Sequence, residues 1–472
     1  MQVTIFDIET NAIKNFMTLE GLEKIHCIAV MDRGDDEPRL LPIEEALEHM
    51  RKADILCGHN AHAFDIPAIK KLYPEWNYEG CLRDTLLLSR LGWPDIRNED
   101  FKREGFQNNL IGRHSLKAWG VRIGLLKGDF SENTNWESYT DEMGEYCKQD
   151  VRVTHALYKM IEEKNLSEES VMLEHSFADI IRQQERNGIG FDVTQAKDLY
   201  TKLVAEKIDI ESNMHKVFPP TVIEMKKPQY YLDTSTGDQY TTKGEAPYAV
   251  KKFLEPGPLR TKTIPFNPGS RMDIANVFIK KYGWKPKEFT NEGRPRIDES
   301  ILTSLPYEEA EHLLKYLLIQ KRLGQLSDGN EAWIKHERNG RIHGTVNTNS
   351  CVSSRCSHQR PNLAQVPAVG SPWGKECRSL FIPGDNKVML GVDASGLELR
   401  CLASYCYPFD NGAYVKSILE GDIHTTNQEA AGLETRSQAK RMIYCLIYGG
   451  GDAKLGEVID GGRKEGKEIR DR

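Results

Sequence analysis

Four acidic residues and one tyrosine in the first 150 residues have the types and spacing of a metal-dependent hydrolytic site. Asp7 and Glu9 lie two apart in an apolar segment, and the period of a β-strand places both carboxylates on one face. Asp65 follows a second apolar run, and Tyr146 and Asp150 lie four apart where a helical pattern begins. Such carboxylates can hold two divalent ions about 4 Å apart, with a tyrosine to orient the attacking water. Mg²⁺ suits these oxygen donors, although acids on one face of a strand can also be solvated edge residues.

Another carboxylate that could bind a metal ion lies far downstream. Asp393 follows the apolar run Val388–Val392, which predicts a short buried strand with the aspartate at its end. Glu398 comes five residues later, and Gly396 between them lets backbone and substrate approach closely. The alternative for Asp393 is a structural role as a cap or turn residue.

A third set of residues recurs every four positions. Arg436, Lys440, Tyr444 and Tyr448 would form one stripe on a helix. Two cations followed by two aromatic rings suit a triphosphate and a base. The alternative is an ordinary amphipathic helix whose cations extend to solvent.

The two downstream stretches together resemble motifs A and B of the family A DNA polymerases, especially the autographivirus-type bacteriophage branch. The resemblance is carried by Asp393-Ala-Ser-Gly-Leu-Glu-Leu-Arg400, Gly421-Asp-Ile-His424 and Lys440-x-x-x-Tyr444. It extends over almost the whole chain. It implies template-directed addition of dNTPs to a DNA primer.

The same resemblance implies a role for each residue of the polymerase half. Asp393 and the backbone carbonyl of Ala394 would bind metal, and Glu398 would exclude a ribose 2′-OH. His424, Arg436 and Lys440 would contact the triphosphate. Tyr444 would contact the sugar and base, and Tyr448 would contact the templating base. Arg355 would contact the terminal base pair. Minor-groove acceptors occur on every base pair, so Arg355 would test geometry without reading sequence. The family usually has glycine where this chain has Ser354.

The N-terminal set resembles the DEDDy class of 3′–5′ proofreading exonucleases, whose motif residues here would be Asp7, Glu9, Asp65, Tyr146 and Asp150. This resemblance implies a single-stranded DNA 3′ end as substrate and two Mg²⁺ ions as cofactors. Asp84 also matches the wording of this class. We expect Asp84 to cap the helix that begins there, and we leave it out of the metal set.

Strands interleaved with helices predict an α/β fold with a central sheet, resembling an RNase H-like exonuclease domain, in the first part of the chain. We expect an exonuclease domain over 1–165, a mostly helical thumb over 166–340, part of a palm over 341–400 and part of the fingers over 401–472. Long helices are predicted over 168–186, 194–215 and 313–336. The cations Lys321 and Arg322 in the last one could follow a DNA backbone or form a solvated face.

The stretch 218–266 shows no persistent period and predicts an irregular surface excursion that contacts duplex DNA. In the phage enzymes that the chain resembles, this position carries an insertion that captures host thioredoxin as a processivity factor. The stretch is markedly shorter here, which argues against a thioredoxin-type partner.

Composition narrows the class of protein. The net charge is −7, divided into −9 over residues 1–150 and +2 over 151–472. This distribution fits metal chemistry at one end and a local basic groove rather than a basic shell. The ten cysteines include no C-x-x-C pair, as expected for free thiols in a reducing compartment. No signal peptide or membrane span is predicted, and we expect a phage-encoded protein in the host cytoplasm.

Family A polymerases carry a second catalytic aspartate in a His-Asp-Glu turn, and this triplet does not occur in the 472 residues. We therefore expect the N-terminal portion of a polymerase, either split or truncated, whose palm would be completed by a second polypeptide or by residues not present here. The alternatives are a stand-alone 3′–5′ exonuclease and a non-enzymatic DNA-binding subunit. The intact exonuclease set argues against the last of these.

Overall fold

The computed structural model describes residues 1–11, 13–14, 19–126, 136–290 and 292–471. The chain divides into two compact units, Met1–Lys387 and Val388–Arg472.

A five-stranded mixed sheet organises the N-terminal part of the first unit. Its strands are β1 (Val3–Thr10), β2 (Ile25–Asp32), β3 (Arg39–Leu41), β4 (Ile55–Gly58) and β5 (Cys81–Asp84). They lie in the order β3-β2-β1-β4-β5, so β1 is the central strand. β2 is antiparallel to β1, whereas β4 is parallel to it and β5 is parallel to β4. The predicted α/β fold is confirmed.

Helices pack on both faces of this sheet. They are α1 (Ile43–Lys52), α2 (Asp65–Leu72), α3 (Thr85–Gly92), α4 (Ile96–Asp100), α5 (Leu116–Ile123) and α6 (Asp141–Glu163). The alternation along β1 sends Phe6 and Ile8 into the core that contains α1 and α2. Val3 and Ile5 enter the opposite core, which contains buried residues of α6. Asp7 and Glu9 continue this second face, so the period of two turns them toward α6.

A separate core of mostly helical elements follows in the same unit. It follows α7 (Glu168–Asn187), whose Val171 packs in the core with α6. The main elements of the separate core are β6 (Ile189–Phe191), α8 (Val193–Val217), α9 (Arg271–Tyr282), α10 (Glu299–Ser304) and α11 (Glu308–Leu323). The predicted helices over 168–186 and 194–215 are confirmed, with a break at Gly188, whose φ of 62° favours glycine. Ser270 caps α9 by accepting a hydrogen bond from the Asp273 backbone.

The stretch 218–266 is more regular than expected. β7 (Thr221–Pro228) pairs antiparallel with β11 (Leu259–Ile264), and β10 (Leu254–Pro256), β8 (Tyr231–Asp233) and β9 (Gln239–Tyr240) form a three-stranded sheet. The prediction of an irregular excursion is therefore wrong. All but the last residue of β7 are exposed. A strand exposed on both faces needs no alternation of apolar and polar residues, so periodicity cannot reveal it.

The helix predicted over 313–336 is interrupted. α11 ends at Leu323, a π-helical turn occupies Gly324–Asp328, and α12 spans Trp333–His336. Arg322 is buried, and its guanidinium donates to the Pro372 carbonyl and to the Gln325 side chain. Both interpretations offered for this arginine, a DNA contact and a solvated face, are wrong, because its side chain is buried and donates its hydrogen bonds within the protein.

The first unit closes with short strands. These are β12 (Glu337–Arg338), β13 (Arg341–Ile342), β14 (Thr345–Asn347), β15 (Ser357–Gln359) and β16 (Phe381–Ile382), with helix α13 (Gly374–Ser379) before the last. β12, β13 and β16 join β6 in a four-stranded sheet. β14 and β15 pair antiparallel, and residues 348–356 form the loop that connects them.

The described part of the second unit is helical. It contains α14 (Leu397–Asp410), α15 (Ala413–Glu420), α16 (Ile423–Ala431), α17 (Arg436–Ile447), α18 (Asp452–Val458) and α19 (Arg463–Asp471). The strand predicted over Val388–Val392 is not formed, and Val388, Leu390 and Val392 are each more than 80% exposed. This prediction is wrong because a strand needs a hydrogen-bonded neighbour, and no described residue pairs with this segment.

No described helix combines the length and the apolar character that crossing a membrane requires.

Candidate active sites

The central strand and helix α6 bring the first candidate site together. Carboxylate oxygens of Asp7 and Glu9 and the Sγ atom of Cys147 all lie within 4.8 Å of one another. The Cys147 thiol donates to the Asp7 side chain at 3.6 Å and to the Asp7 carbonyl at 3.4 Å. Two acids of β1 therefore face α6, as the period of two predicts.

Asp65 joins these acids from the start of α2. Its carboxylate is 7% exposed and accepts a hydrogen bond from the backbone of Ile8, which lies between Asp7 and Glu9. Burial is the largest cause that raises the pKa of Asp65 to about 7, and the nearby carboxylates of Asp84 and Asp150 contribute to this rise.

Tyr146 and Asp150 reach the same place from α6. The two residues are four apart on this helix, which places them on one face. Asp150 is buried and acts on Asp65 electrostatically, whereas Tyr146 is half-buried and packs edge-to-face on Trp136. The structure thus brings Asp7, Glu9, Asp65 and Asp150 together, and Tyr146 lies one helical turn before Asp150 on α6.

Asp84 has the structural role that the sequence indicated. Its side chain accepts from the Leu86 backbone at 2.9 Å and so caps α3. It also accepts from the backbone of Asn60 and His62, which fixes the loop that leads to Asp65.

The chemistry of this cluster fits divalent cations. Glu9, Asp65 and Asp150 are each less than a tenth exposed, so their negative charges repel one another in a poorly solvated place. The raised pKa of Asp65 reflects its burial first and its repulsion by Asp84 and Asp150 second. A hard cation among oxygen donors would relieve it, and Mg²⁺ is the common ion of such donors.

The second candidate site lies on α17 and its neighbours in the second unit. Arg436, Lys440 and Tyr444 lie on α17, and Tyr448 is its C-cap, so the predicted stripe is one helix face. Thr435 and Gln438 form a capping box that fixes where this helix begins.

Arg436 is paired within the protein. Its Nε donates to Asp422 at 2.6 Å and its Nη2 at 3.1 Å, and this pairing holds the pKa of Asp422 below the usual range. Asp422 also caps α16 through the backbone of His424. Burial and the nearby Arg436 lower the pKa of His424, whose ring lies 6.4 Å from that of Tyr444.

Glu398 reaches the other end of the same face. Its Oε1 accepts from the Tyr448 hydroxyl at 3.2 Å. Burial raises the pKa of Tyr444, with further contributions from Glu398 and Tyr448, which shows that the three side chains are neighbours. The structure therefore gathers six predicted nucleotide contacts, namely Glu398, His424, Arg436, Lys440, Tyr444 and Tyr448.

Three residues predicted for the polymerase site have no contact with its other members among the described residues. Asp393 and Ala394 lie in the exposed extended segment before α14. Arg355 is exposed in the loop between β14 and β15, and its carbonyl accepts from Ser350 and Cys351. The preceding Ser354 has a φ of 59°, a conformation that favours the glycine usual in the family.

Sequence reasoning missed two participants. Cys147 follows Tyr146 in the chain, and burial raises the pKa of its thiol well above the ordinary value, so it faces the carboxylates as a neutral donor. Asp422 is part of the quoted Gly421–His424 motif, yet only the structure shows that it holds Arg436. The available signal in the sequence was the position of each residue, next to Tyr146 for Cys147 and within Gly421–His424 for Asp422.

Comparison with known proteins gives consistent results. Residues 259–472 match the sequence profile of DNA polymerase family A. The DNA-directed DNA polymerase of Enterobacteria phage T3 is 34% identical over 99% of this chain and 78% of its own length, and that of Escherichia phage T7 is 33% identical over the same shares. The POL domain of Pol1 from M. smegmatis, solved with primer-template DNA and a dNTP, aligns with a TM-score of 0.65 at 16% identity. That alignment covers all of this chain and 72% of the other, and it supports the fold alone.

Proposed function

The chain belongs to DNA polymerase family A, and from that premise we propose that it couples template-directed DNA synthesis to 3′–5′ hydrolysis of mispaired primer ends. It is a DNA-directed DNA polymerase of the phage type. The exonuclease is the proposed part. The observation that carries it is the convergence of Asp7, Glu9, Asp65 and Asp150 at the centre of the N-terminal sheet.

The proposed exonuclease residues have distinct tasks. Asp7, Glu9, Asp65 and Asp150 would hold two Mg²⁺ ions, which when bound supply an activated water and neutralise the phosphate charge. The Tyr146 hydroxyl, one helical turn from Asp150, would orient the attacking water. The Cys147 thiol holds Asp7 in place through its hydrogen bond.

The experiment for this proposal is degradation of 5′-labelled single-stranded DNA by the 472-residue chain with Mg²⁺. We expect Asp7→Ala combined with Glu9→Ala to lower the rate at least about 10³-fold, because both residues bind the catalytic ions. The matched control is Asp36→Ala, an exposed acid outside the cluster. A double variant with the activity of the control would refute the assignment.

For the polymerase half, we propose that Arg436, Lys440 and His424 receive the triphosphate, and that Tyr444 and Tyr448 flank the base. Arg436 must exchange its bond to Asp422 for a bond to phosphate. Glu398, which accepts a hydrogen bond from the Tyr448 hydroxyl, would exclude a ribose 2′-OH. We also propose the predicted division into exonuclease (1–165), thumb (166–340), palm (341–400) and fingers (401–472).

We also propose a partner that completes the metal site at Asp393. A two-metal site needs a second carboxylate beside it, and we propose that a polypeptide carrying palm strands, outside these 472 residues, is its source. The exposed apolar residues of Val388–Val392 support this, because added strands would pair with that segment and cover it. Primer extension, in an Asp7→Ala and Glu9→Ala background, should need this polypeptide; efficient extension by the 472-residue chain alone would refute the requirement. We place these activities in the cytoplasm of a phage-infected cell.

A further inference from the structure

Two distant parts of the chain are joined by a hydrogen bond at the loop that carries Arg355. This loop comprises residues 348–356, between β14 and β15, and lies in the stretch that matches DNA polymerase family A. Nη1 of Arg90, on α3, donates to the carbonyl of Thr348, the first residue of the loop, at 3.2 Å. The two partners are 258 positions apart in the sequence. A helix of the proposed exonuclease domain is therefore bonded directly to a loop of the polymerase part.

The surroundings of this hydrogen bond are poorly solvated. Thr348 is fully buried. Burial lowers the pKa of Arg90, while the nearby carboxylates of Asp84 and Glu174 favour its charged form. A hydrogen bond from an ionised donor is stronger than one between neutral groups, and losing such a donor at a buried carbonyl is costly. The contact with Arg90 therefore fixes the backbone at the start of the loop.

Strand β14, which leads into the loop, is anchored as well. The backbone N–H of Val346 donates to the carboxylate of Glu185 at 2.7 Å, and Glu185 is 1% exposed near the end of α7. The guanidinium of Arg182, three residues earlier on α7, pairs with the same carboxylate. The chain is thus bonded to α7 at Val346 and to α3 two residues later, at Thr348.

Hydrogen bonds inside the loop connect its start with Arg355. The Arg355 carbonyl accepts from the backbone N–H of Ser350 at 3.2 Å and from that of Cys351 at 3.1 Å. The Ser350 hydroxyl donates to the Ser357 hydroxyl at 2.7 Å, which joins the loop to β15. Because Ser350 lies two residues after Thr348, a backbone shift at Thr348 would be passed to Arg355.

The loop needs this support because its backbone is strained next to Arg355. The preceding Ser354 has a φ of 59°, in the left-handed region. A residue with a side chain stays in that region only where the surrounding structure fixes it. Residues 350–352, at the tip of the loop, line a cavity of about 520 Å³ together with α4 and residues 108–114, so close packing does not hold the tip. The geometry of Arg355 therefore depends on the anchored start of the loop.

We propose that Arg90 is a positioning residue of the polymerase reaction, which holds the loop so that Arg355 reaches the minor groove of the terminal base pair. The proposal rests on the proposed role of Arg355 in testing that pair. A matched pair presents its acceptor to a correctly placed Arg355, whereas a mispair displaces the acceptor, so a misplaced Arg355 loses the distinction. The proposed exonuclease domain thereby supports selection of matched primer ends through the position of a loop, without hydrolysis.

Hydrogen–deuterium exchange of the 472-residue chain tests whether Arg90 holds the loop. Arg90→Met keeps an aliphatic side chain but removes its donors, and Arg90→Lys keeps a cationic donor. The amides of Ser350, Cys351 and Ser354 donate within the loop. We expect them to exchange at least about tenfold faster in Arg90→Met, since a hydrogen bond from a charged donor is lost, and to regain part of their protection in Arg90→Lys. Exchange in β1 and β4 should be unchanged.

The matched control is Arg33→Met, which removes an exposed arginine that pairs with Glu162, and its loop amides should exchange as in the wild type. Unchanged loop exchange in Arg90→Met would overturn the proposal. Equal acceleration in β1 and β4 would overturn it too, because the variant would then loosen the whole fold. This experiment needs neither Mg²⁺ nor palm strands, so its outcome is independent of the proposed exonuclease activity and of the proposed partner.

Primer extension tests the consequence for selection of the primer end. In the polymerase completed by its palm strands, in an Asp7→Ala and Glu9→Ala background, we expect Arg90→Met to lower the ratio of kcat/KM for matched over mispaired primer ends about tenfold. A purely structural role would reduce extension from both ends equally, and an unchanged ratio would overturn the proposal. Arg355→Met is the reference variant. If it leaves the ratio unchanged, the role of Arg355 is refuted and the proposal with it, whereas a ratio lowered by Arg355→Met but not by Arg90→Met would refute the positioning by Arg90.

Discussion

Replacing Asp65 by asparagine should stabilise the metal-free protein at alkaline pH while it removes a metal ligand. The native fold raises the pKa of Asp65 from an ordinary 3.8 to about 7, because the carboxyl is buried beside Asp84 and Asp150. Ionising Asp65 is therefore harder in the folded than in the unfolded chain. The native state loses stability as the pH rises from 3.8 to about 7, and the loss is complete above that range.

The size of this effect follows from the pKa difference. It corresponds to a free energy of about 4 kcal/mol above pH 7, which is an upper limit because asparagine keeps only part of the hydrogen bonding with the Ile8 backbone. We expect Asp65→Asn to raise the free energy of unfolding by about 2 to 4 kcal/mol at pH 8 in EDTA, and by less than about 0.5 kcal/mol at pH 4.

Urea denaturation of the first unit at pH 4, 6 and 8, followed by circular dichroism, measures these values. Asp198→Asn, an exposed aspartate on α8, is the control and should show no pH-dependent gain. Added Mg²⁺ should stabilise the wild type and the control much more than Asp65→Asn. A gain that is equal at pH 4 and pH 8 would refute the reasoning, because it would show that ionising Asp65 costs no extra free energy in the folded protein.

Three further predictions concern the polymerase face and acid stability. Glu398→Ala should raise kcat/KM for rNTPs relative to dNTPs at least about tenfold in the polymerase completed by its palm strands, and an unchanged ratio would show that Glu398 and its partner Tyr448 do not form the gate. Lys440→Ala should raise KM for dNTPs about 10- to 100-fold, as expected for loss of a charge-assisted hydrogen bond. The affinity for DNA, and the slope of its logarithm against the logarithm of the salt concentration, should stay unchanged. A changed slope with an unchanged KM would instead assign Lys440 to a DNA phosphate. Burial, with Arg90 and Arg122 nearby, lowers the pKa of His114 to about 3, so protonation below pH 6.5 favours the unfolded chain, and His114→Gln should gain about 2 kcal/mol relative to wild type at pH 5. Thermal melts at pH 5 and pH 7.5 measure this gain, and equal differences at both pH values would contradict it.

The parts of the sites that the sequence predicted depend on short-range geometry. Asp7 and Glu9 share a face because strands have a period of two, and Arg436, Lys440 and Tyr444 share a face because helices repeat about every four residues. The two long helices after residue 167 were predictable for the same reason. Each of these results depends on residues that are neighbours in the chain.

The errors arose where distant residues decide the structure. Val388–Val392 has the composition of a buried strand, but a strand forms only beside a partner. β7 pairs with β11 across more than thirty residues, and both of its faces are exposed, so no local period marks it. Arg322 lies on a helix with other cations, yet the Pro372 carbonyl draws it into the interior.

The measurement that tests the central claim most directly is anomalous diffraction from crystals of the chain soaked in Mn²⁺, which replaces Mg²⁺ at oxygen ligands. We predict two peaks about 4 Å apart among the carboxylates of Asp7, Glu9, Asp65 and Asp150, and loss of both peaks in the Asp7→Ala and Glu9→Ala variant. An empty cluster, or a single ion bound away from these four carboxylates, would contradict the assignment of a two-metal exonuclease to this polymerase.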